Sequence, residues 1–457
     1  MRAPGLRNLL KRMSSPLGLA VFLAVLILGP AGAAAQKMTY IRDAEIEGII
    51  KTFSEPLFLA AGVEPSAVEI YIVNNRMLNA FVAGGQNLFV TTGLLATVED
   101  PDQLIGVIAH ETGHLAGGHL VRTSEMMRDT AKRSMISALL GTAAAIGTGR
   151  GDVGAAIALG GQSMGLRSFL QYSRTQESAA DQAALRLLDA TGQSAGGMLD
   201  FLDILSGQEL LSARNQDVYV RTHPLTEQRM DVVREHVRRS PHTDKPPKIG
   251  FVALHGRVRA KLRAFMNPPS QTLREYAASD ASIPARYARA IAYYREPDLD
   301  QALALVDGLI AESPADPFFH ELKGQILFEN GHVKEALEPY RTAVGLFPGS
   351  NLLRLGLARA QLESASPELL KPAIGNLRAA LSESPDNPFM WRQLAIAYGR
   401  DGQAAMSYLA LAEEALLHGK GREALYQAER AKRELATGSS AWLQAEDIAQ
   451  AAKARED

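Results

Sequence analysis

Three short strings in the last third of the chain, "SPADPFF", "FPGSNLL" and "SPDNPFM", recur with their first prolines at Pro314, Pro348 and Pro385, in steps of 34 and 37 residues. No other feature constrains the fold as tightly, because a period of this length means that one supersecondary unit is being repeated. Between the first two strings, "KGQILFENGHVKEALEPYRTAVGLFP" (Lys323 to Pro348) reads as helix, glycine turn, helix. Gly331 opens the turn, and Ala336, Leu337, Tyr340 and Ala343 or Val344 share one helical face. "HGKGREALYQAERAKREL" (His418 to Leu435) repeats the plan less cleanly. Such a helix pair cannot bury its apolar face alone, so neighbours stack into a curved solenoid with a concave binding surface. A generic helical bundle is the alternative, and it gives no reason for spaced prolines.

The rest of the 457 residues divides into two further parts. Arg2, Arg7, Lys11 and Arg12 precede an apolar core, "LGLAVFLAVLIL" (Leu17 to Leu28), which Gly29-Pro30 ends. Ala33-x-Ala35 then offers a small-residue cleavage site, so residues 1–35 have the order of parts of a secretory signal peptide. Removing them takes away four basic residues and leaves 44 basic against 50 acidic, a net charge of −6. That balance gives no sign of the basic face that nucleic-acid binding wants. The chain has no cysteine, hence no disulfide, no thiolate for a metal and no lipid anchor at the cleavage site. A soluble periplasmic protein is the expectation. Residues 36–270 read as a mixed domain, helical at first, with β-rich runs at "VEIYIVN" (Val68 to Asn74) and "NLFVTT" (Asn87 to Thr92) around Gly84-Gly85. Proline clusters put the boundary near 266–280, and 280–455 is the repeat region. The fold class expected is mainly α with a small β-sheet, followed by an all-α solenoid.

Of ten histidines, His110, His114 and His119 fall within ten positions, in "VIAHETGHLAGGH". On a helix, residues four apart lie about 40° from one another and one turn along. His110 and His114 therefore point the same way and can share a metal ion, with Glu111 at the edge of that face, in reach of a water held there. This is the H-E-x-x-H arrangement of metalloproteases. A catalytic zinc takes three protein ligands and keeps one open position. Without cysteine, the third ligand is a histidine or a carboxylate. His119 lies about 140° from His114 on a continuous helix. It could serve only if the helix broke first, and a structural hydrogen bond near the helix end is its expected role. "RTQESAADQAALRLL" (Arg174 to Leu188) is strongly helical and carries Glu177 and Asp181 on one face. Glu177 could complete the site, and Asp181 could accept a hydrogen bond from the far nitrogen of a ligand histidine. Taken alone, that pair also suits a solvated helix face.

The strings "AHETGHLAGGH", "SRTQESAADQAAL" and "RTHPLTEQRM", in that order, resemble the peptidase family that contains HtpX and the CAAX prenyl proteases. The repeat period at the C-terminal end is that of tetratricopeptides. The resemblance implies a zincin-like metalloprotease domain with one Zn2+ held by His110, His114 and Glu177, Glu111 as general base and Asp181 in support. It places "NAFVAGG" (Asn79 to Gly85) beside the cleft, with Asn79, Ala80 and Phe81 binding extended substrate by backbone pairing. It sets His223 on a loop over the metal, either as a resting-state fourth ligand that acts as a latch or as an oxyanion stabiliser. A helix cap before Pro224 is the plain alternative. Arg229 would assist the oxyanion or pin that loop.

With the signal peptide and the repeats, the resemblance implies a periplasmic endopeptidase of outer-membrane protein assembly and quality control. Its partners would be unfolded or misassembled outer-membrane proteins and the outer-membrane insertion machinery, with peripheral membrane contact open and no nucleic acid. The rival reading is a chaperone or scaffold for the same assembly with latent proteolysis. "ISALLGTAAAIGTGRGDVGAAIALGGQSMG" (Ile136 to Gly165) is too interrupted to span a membrane and reads as a buried or capping helical hairpin near the site, with a membrane-contacting or substrate-gating element as the alternative and Arg150-Gly151-Asp152 as a turn.

Overall fold

The computed structural model describes residues 39–119, 173–206 and 218–454. The expected signal peptide and the apolar 136–165 segment lie outside the described residues. Helix α1 (Ala44–Ala60) starts at Asp43, whose side chain accepts the Ile46 amide at 2.9 Å. A four-stranded sheet follows, of β1 (Tyr40–Ile41), β2 (Ile70–Val73), β3 (Ala80–Ala83) and β4 (Asn87–Thr91), in the order β1-β2-β4-β3. β2 runs parallel to β4 and β3 antiparallel to it, with Phe81 opposite Phe89. β3 is therefore an edge strand among the described residues. Thr91 ends β4, receives the Leu94 amide and starts the short α2 (Thr92–Thr97).

Helix α3 (Pro101–Ala116) carries H-E-x-x-H, and local sequence fixes where it begins. Pro101 occupies the first turn, the Asp100 side chain accepts the Gln103 amide, and the Gln103 side chain accepts the Asp100 amide at 3.4 Å. These are the reciprocal contacts of a capping box. A helix over residues 173–190 (α4), then α5 (Gly196–Ser206), α6 (Val218–Thr222) and α7 (Glu227–Arg239), complete the first part. Glycines let backbones touch α3, and two of them show how closely. A Cβ on Gly197 would lie 2.2 Å from the Asp102 carbonyl carbon, and one on Gly113 would lie 2.7 Å from the Ala180 oxygen. The second contact draws α4 onto the histidine-bearing turn of α3.

Helix α8 (Phe251–Met266) serves two cores: Phe251, Val258 and Leu262 pack with α1, the sheet and α3, while Ala260 and Ala264 pack with Tyr287, Ile291 and Phe319. Polar groups cross the same junction. Buried Glu45 pairs with Arg257 at 2.6 Å and Lys261 at 3.1 Å and accepts the Tyr287 hydroxyl at 2.7 Å. Arg257 also pairs with Asp316, and Lys261 with Asp43 at 2.7 Å.

After α9 (Pro269–Glu275) come antiparallel helix pairs: α10 (Ile283–Arg295) with α11 (Leu299–Glu312), α12 (Pro317–Glu329) with α13 (Val333–Leu346), α14 (Asn351–Glu363) with α15 (Leu370–Glu383), α16 (Pro388–Arg400) with α17 (Ala404–Leu417), and α18 (Gly421–Glu434) with α19 (Ser440–Lys453). The helix starts 317, 351 and 388 reproduce the sequence steps of 34 and 37. The three extra residues sit in one turn, which spans 364–369 between α14 and α15 where 330–332 suffice between α12 and α13. Gly331 has φ +83°, as the tight turn requires, whereas the longer turn puts Ala365 at φ +55°. Mainly α with a small sheet, ending in helical repeats, is thus the observed fold.

Candidate metal centre

His110 and His114 lie one turn apart on α3, and Glu177 enters from α4. The two His Nε2 atoms are 3.1 Å apart, and each is 3.3 Å from a different oxygen of Glu177. His223, just after α6, turns Nδ1 into the same space, 3.2 Å from both Glu177 oxygens and 3.4 Å from His110 Nε2. All four side chains are buried, and one ligand atom from each lies within 4.8 Å of the others.

Facing lone pairs on neutral imidazoles and a carboxylate repel at this range, and a cation between them removes the repulsion. Around a tetrahedral zinc with bonds near 2.0–2.1 Å, ligand atoms stand about 3.3–3.4 Å apart. Observed separations of 3.1–3.4 Å match that edge length. Charge leads to the same result. With the imidazoles neutral, as metal ligands must be, Glu111, Glu177 and Asp181 face one buried guanidinium among the described residues, Arg229, and three negative charges less one positive leave two uncompensated. A divalent cation removes that deficit. The residues present fit a metal ion.

The surrounding groups orient the ligands. His110 Nδ1 hydrogen-bonds Asp181 at 2.8 Å, which leaves Nε2 for the ion. His114 Nδ1 meets His119 Nδ1 at 3.0 Å. His119 is thus buried at the helix end, outside the four-residue cluster, and holds the His114 ring. Gly117 makes room for it, since a Cβ there would lie 2.5 Å from the His119 Nε2. Arg229 sits in the first turn of α7, where Thr226 caps its amide. It donates to Asp181 at 2.6 and 2.9 Å and to the Pro224 carbonyl at 2.9 Å, and it lies 3.1 Å from Glu177. Its nitrogens are committed to carboxylates and to the His223–Pro224 loop.

The bare chain's ionisation reflects this crowding. Burial lowers the His110 pKa, but hydrogen bonds and charges from Asp181 and Glu177 outweigh it and lift the group to about 10. Burial takes His114 down to about 3. Burial would raise Glu177, yet the charge of His223 and hydrogen bonds from His110 and His114 hold it well below the carboxylate range. Glu111 is different. Burial pushes its pKa up against the pull of His223, His110 and the Val82 backbone amide, and no side chain among the described residues hydrogen-bonds its oxygens. Its nearest cationic candidate is His223 Nε2, at 3.6 Å.

Sequence reasoning misses two contributors. Tyr219, buried on α6, stacks on the His223 ring with centroids 4.6 Å apart and an interplanar angle of 28°. Its amide donates to the Leu78 carbonyl at 3.2 Å, tying α6 to the approach of β3. The i, i+4 spacing of Tyr219 and His223 is the available signal. Val82 is the other. The Thr91 amide donates to the Asn79 carbonyl at 3.0 Å, so alternation along β3 turns Asn79 and Phe81 toward β4 and leaves the backbone of Ala80 and Val82 on the open edge. The Phe81 ring stacks on Phe89 at 4.8 Å.

Comparison with known proteins supplies the class. Residues 41–237 match Peptidase family M48, and residues 287–351 match a tetratricopeptide repeat. The chain therefore carries a peptidase M48 domain, of a metalloprotease family, followed by tetratricopeptide repeats. It is similar over most of its length to proteins named β-barrel assembly-enhancing protease. The one from Yersinia pestis is 25% identical over 395 residues, 84% of this chain and 79% of the relative. The one from Escherichia coli K12 is 25% identical over 403 residues, covering 87% and 81%. Metalloprotease YcaL of E. coli K12 is 28% identical over 177 residues, 38% of this chain and 63% of that protein. Among the described residues no helix is long and apolar enough to cross a membrane.

Proposed function

We propose that the chain is a zinc endopeptidase of the periplasm that acts in β-barrel outer-membrane protein assembly and degrades misassembled chains. The convergence of His110, His114, Glu177 and His223 at zinc-like separations carries this reading. The names of the relatives support its place in β-barrel assembly. The exported location rests on residues 1–35, and the limits 36–270 for the protease and 280–455 for the repeats follow the composition.

His110, His114 and Glu177 would hold the ion, with Asp181 and His119 fixing the two imidazoles and Arg229 fixing Asp181. When bound, zinc supplies Lewis acidity toward a carbonyl and acidifies water. Glu111 takes the proton of the attacking water and passes it to the leaving amine, a task suited to a buried carboxylate with a raised pKa and no side-chain hydrogen bond among the described residues. The open edge of β3, through Ala80 and Val82 rather than Asn79 and Phe81, pairs with an extended substrate. For His223 the distances favour the latch, because its Nδ1 stands among the ligand atoms.

The Glu111→Gln variant is expected to retain one zinc per chain by elemental analysis while losing peptidase activity by a factor of about 10² or more. Full activity with metal retained would remove Glu111 from the mechanism. His223→Ala is expected to raise cleavage of an unstructured substrate; an inactive, metal-loaded variant would assign His223 to the oxyanion instead. The scaffold reading gains if the Glu111→Gln protein still supports outer-membrane assembly in cells.

A further inference from the structure

Helices α15, α16, α17 and α19 surround a cleft of about 400 Å³ near the end of the repeats. Its floor is apolar and buried, made by Leu381, Leu394 and Leu409, and the rings of Trp391 and Tyr398 line it. The Trp391 indole N–H is already used on the Pro385 carbonyl at 2.8 Å, so the ring presents apolar surface. One charge stands among the lining residues. Arg378 is exposed, and no carboxylate lines the cleft with it. Arg378 forms no ion pair among the described residues, so its guanidinium is available to a ligand at the cleft.

An apolar floor beside a single unpaired guanidinium selects one kind of ligand chemistry. An internal hydrophobic stretch of chain would fill the floor and leave Arg378 unused. An acidic side chain would meet Arg378 and leave the floor empty. A carboxylate one bond from the carbon that bears an apolar side chain satisfies both, and on a polypeptide that group is the C-terminus. A volume at the low end of ligand sites admits a chain end but no folded domain.

We infer that this cleft binds the C-terminal end of an extended chain, with a hydrophobic last side chain on Leu381, Leu394 and Leu409 and the α-carboxylate on Arg378. The inference rests on reading the repeats as a partner-binding arm and is independent of the metal chemistry. It gives that arm a reason to prefer free chain ends over internal segments.

The test uses the full chain carrying Glu111→Gln, so that ligands are not cut, and ten-residue peptides with a dye at the N-terminus. A peptide ending in a free-acid phenylalanine is expected to bind at least about tenfold more tightly than its C-terminal amide, as loss of a charge-assisted contact predicts. The same peptide ending in free-acid serine should bind as weakly as the amide. Arg378→Gln, a change at an exposed position, should make acid and amide equal, and Trp391→Ala should weaken the acid further. Equal binding of acid and amide, or an acid preference that survives Arg378→Gln, overturns the end-group assignment and leaves a groove for internal segments. If no peptide binds, the partner-binding reading of these repeats falls as well, which separates the two failures.

Discussion

Helix α3 is buried at every residue from Pro101 to His114, whereas α13 buries Ala336, Pro339, Tyr340 and Ala343 along one stripe. The two helices obey different rules. Every polar group on α3 needs a partner in the protein, because water cannot reach it. The outer face of α13 stays solvated and tolerates change. The first part of the molecule places charge where only an exact set of neighbours can hold it, while the repeats obtain stability from contacts between successive helices.

The largest expected effect that breaks this contrast comes from two glycines of opposite context. Gly113 has the Ala180 backbone against it, so Gly113→Leu must push α4 and Glu177 away from the histidines. Metal binding should be lost, with a stability cost of about 1–3 kcal/mol from overpacking. Gly308 lies mid-helix in α11 with nothing within 4 Å of an added Cβ. There Gly308→Ala should add about 0.5–1 kcal/mol. Elemental analysis and thermal melting of both variants check the pair, and equal effects would erase the distinction.

A smaller effect is expected where the two regions meet. Burial raises the pKa of Glu321 to about 7, with Asp43 and Glu45 adding to the rise and Lys261 opposing it. A carboxyl whose folded pKa lies above its unfolded value costs stability as pH rises from about 4.5 to 7. Glu321→Gln should therefore melt a few degrees above the parent at pH 8 and show no gain near pH 4.5. A pH-independent difference would show that Glu321 does not titrate at the junction.

The smallest change concerns Ala365, at φ +55° in the enlarged repeat turn. Gly331, Gly402, Gly419 and Gly438 hold positive φ in four of the other turns. Ala365→Gly should stabilise the chain by up to about 1 kcal/mol, since the left-handed conformation costs an alanine that much and the added freedom of glycine when unfolded subtracts from it. Chemical denaturation of the full chain measures it, and destabilisation would mean that the Ala365 methyl makes a contact worth more than the strain.

Much of this architecture is legible in the order of residues alone. The steps of 34 and 37 become the helix starts at 317, 351 and 388, because a repeat writes its period directly into the chain. His110 and His114 share a direction because one helical turn separates them, and Glu177 and Asp181 do for the same reason. Which groups face each other across helices is not legible. His119 reads as a helix-end histidine, and only packing shows that it supports His114. Asn79 and Phe81 read as pairing positions of the edge strand, yet a single hydrogen bond from Thr91 turns them inward. Tyr219 carries no motif.

The amino-acid sequence by itself determined the repeat period, the residues that share a helical face and the caps that start α3, since each depends on neighbours within a few positions. Tertiary structure alone decided that Asp181 meets a histidine 71 residues away, that Arg229 reaches the Pro224 carbonyl, and that Glu45 joins α8 to the repeats. Those pairings depend on how closely backbones approach. Across the metal centre, that distance is set by the absence of a side chain at Gly113.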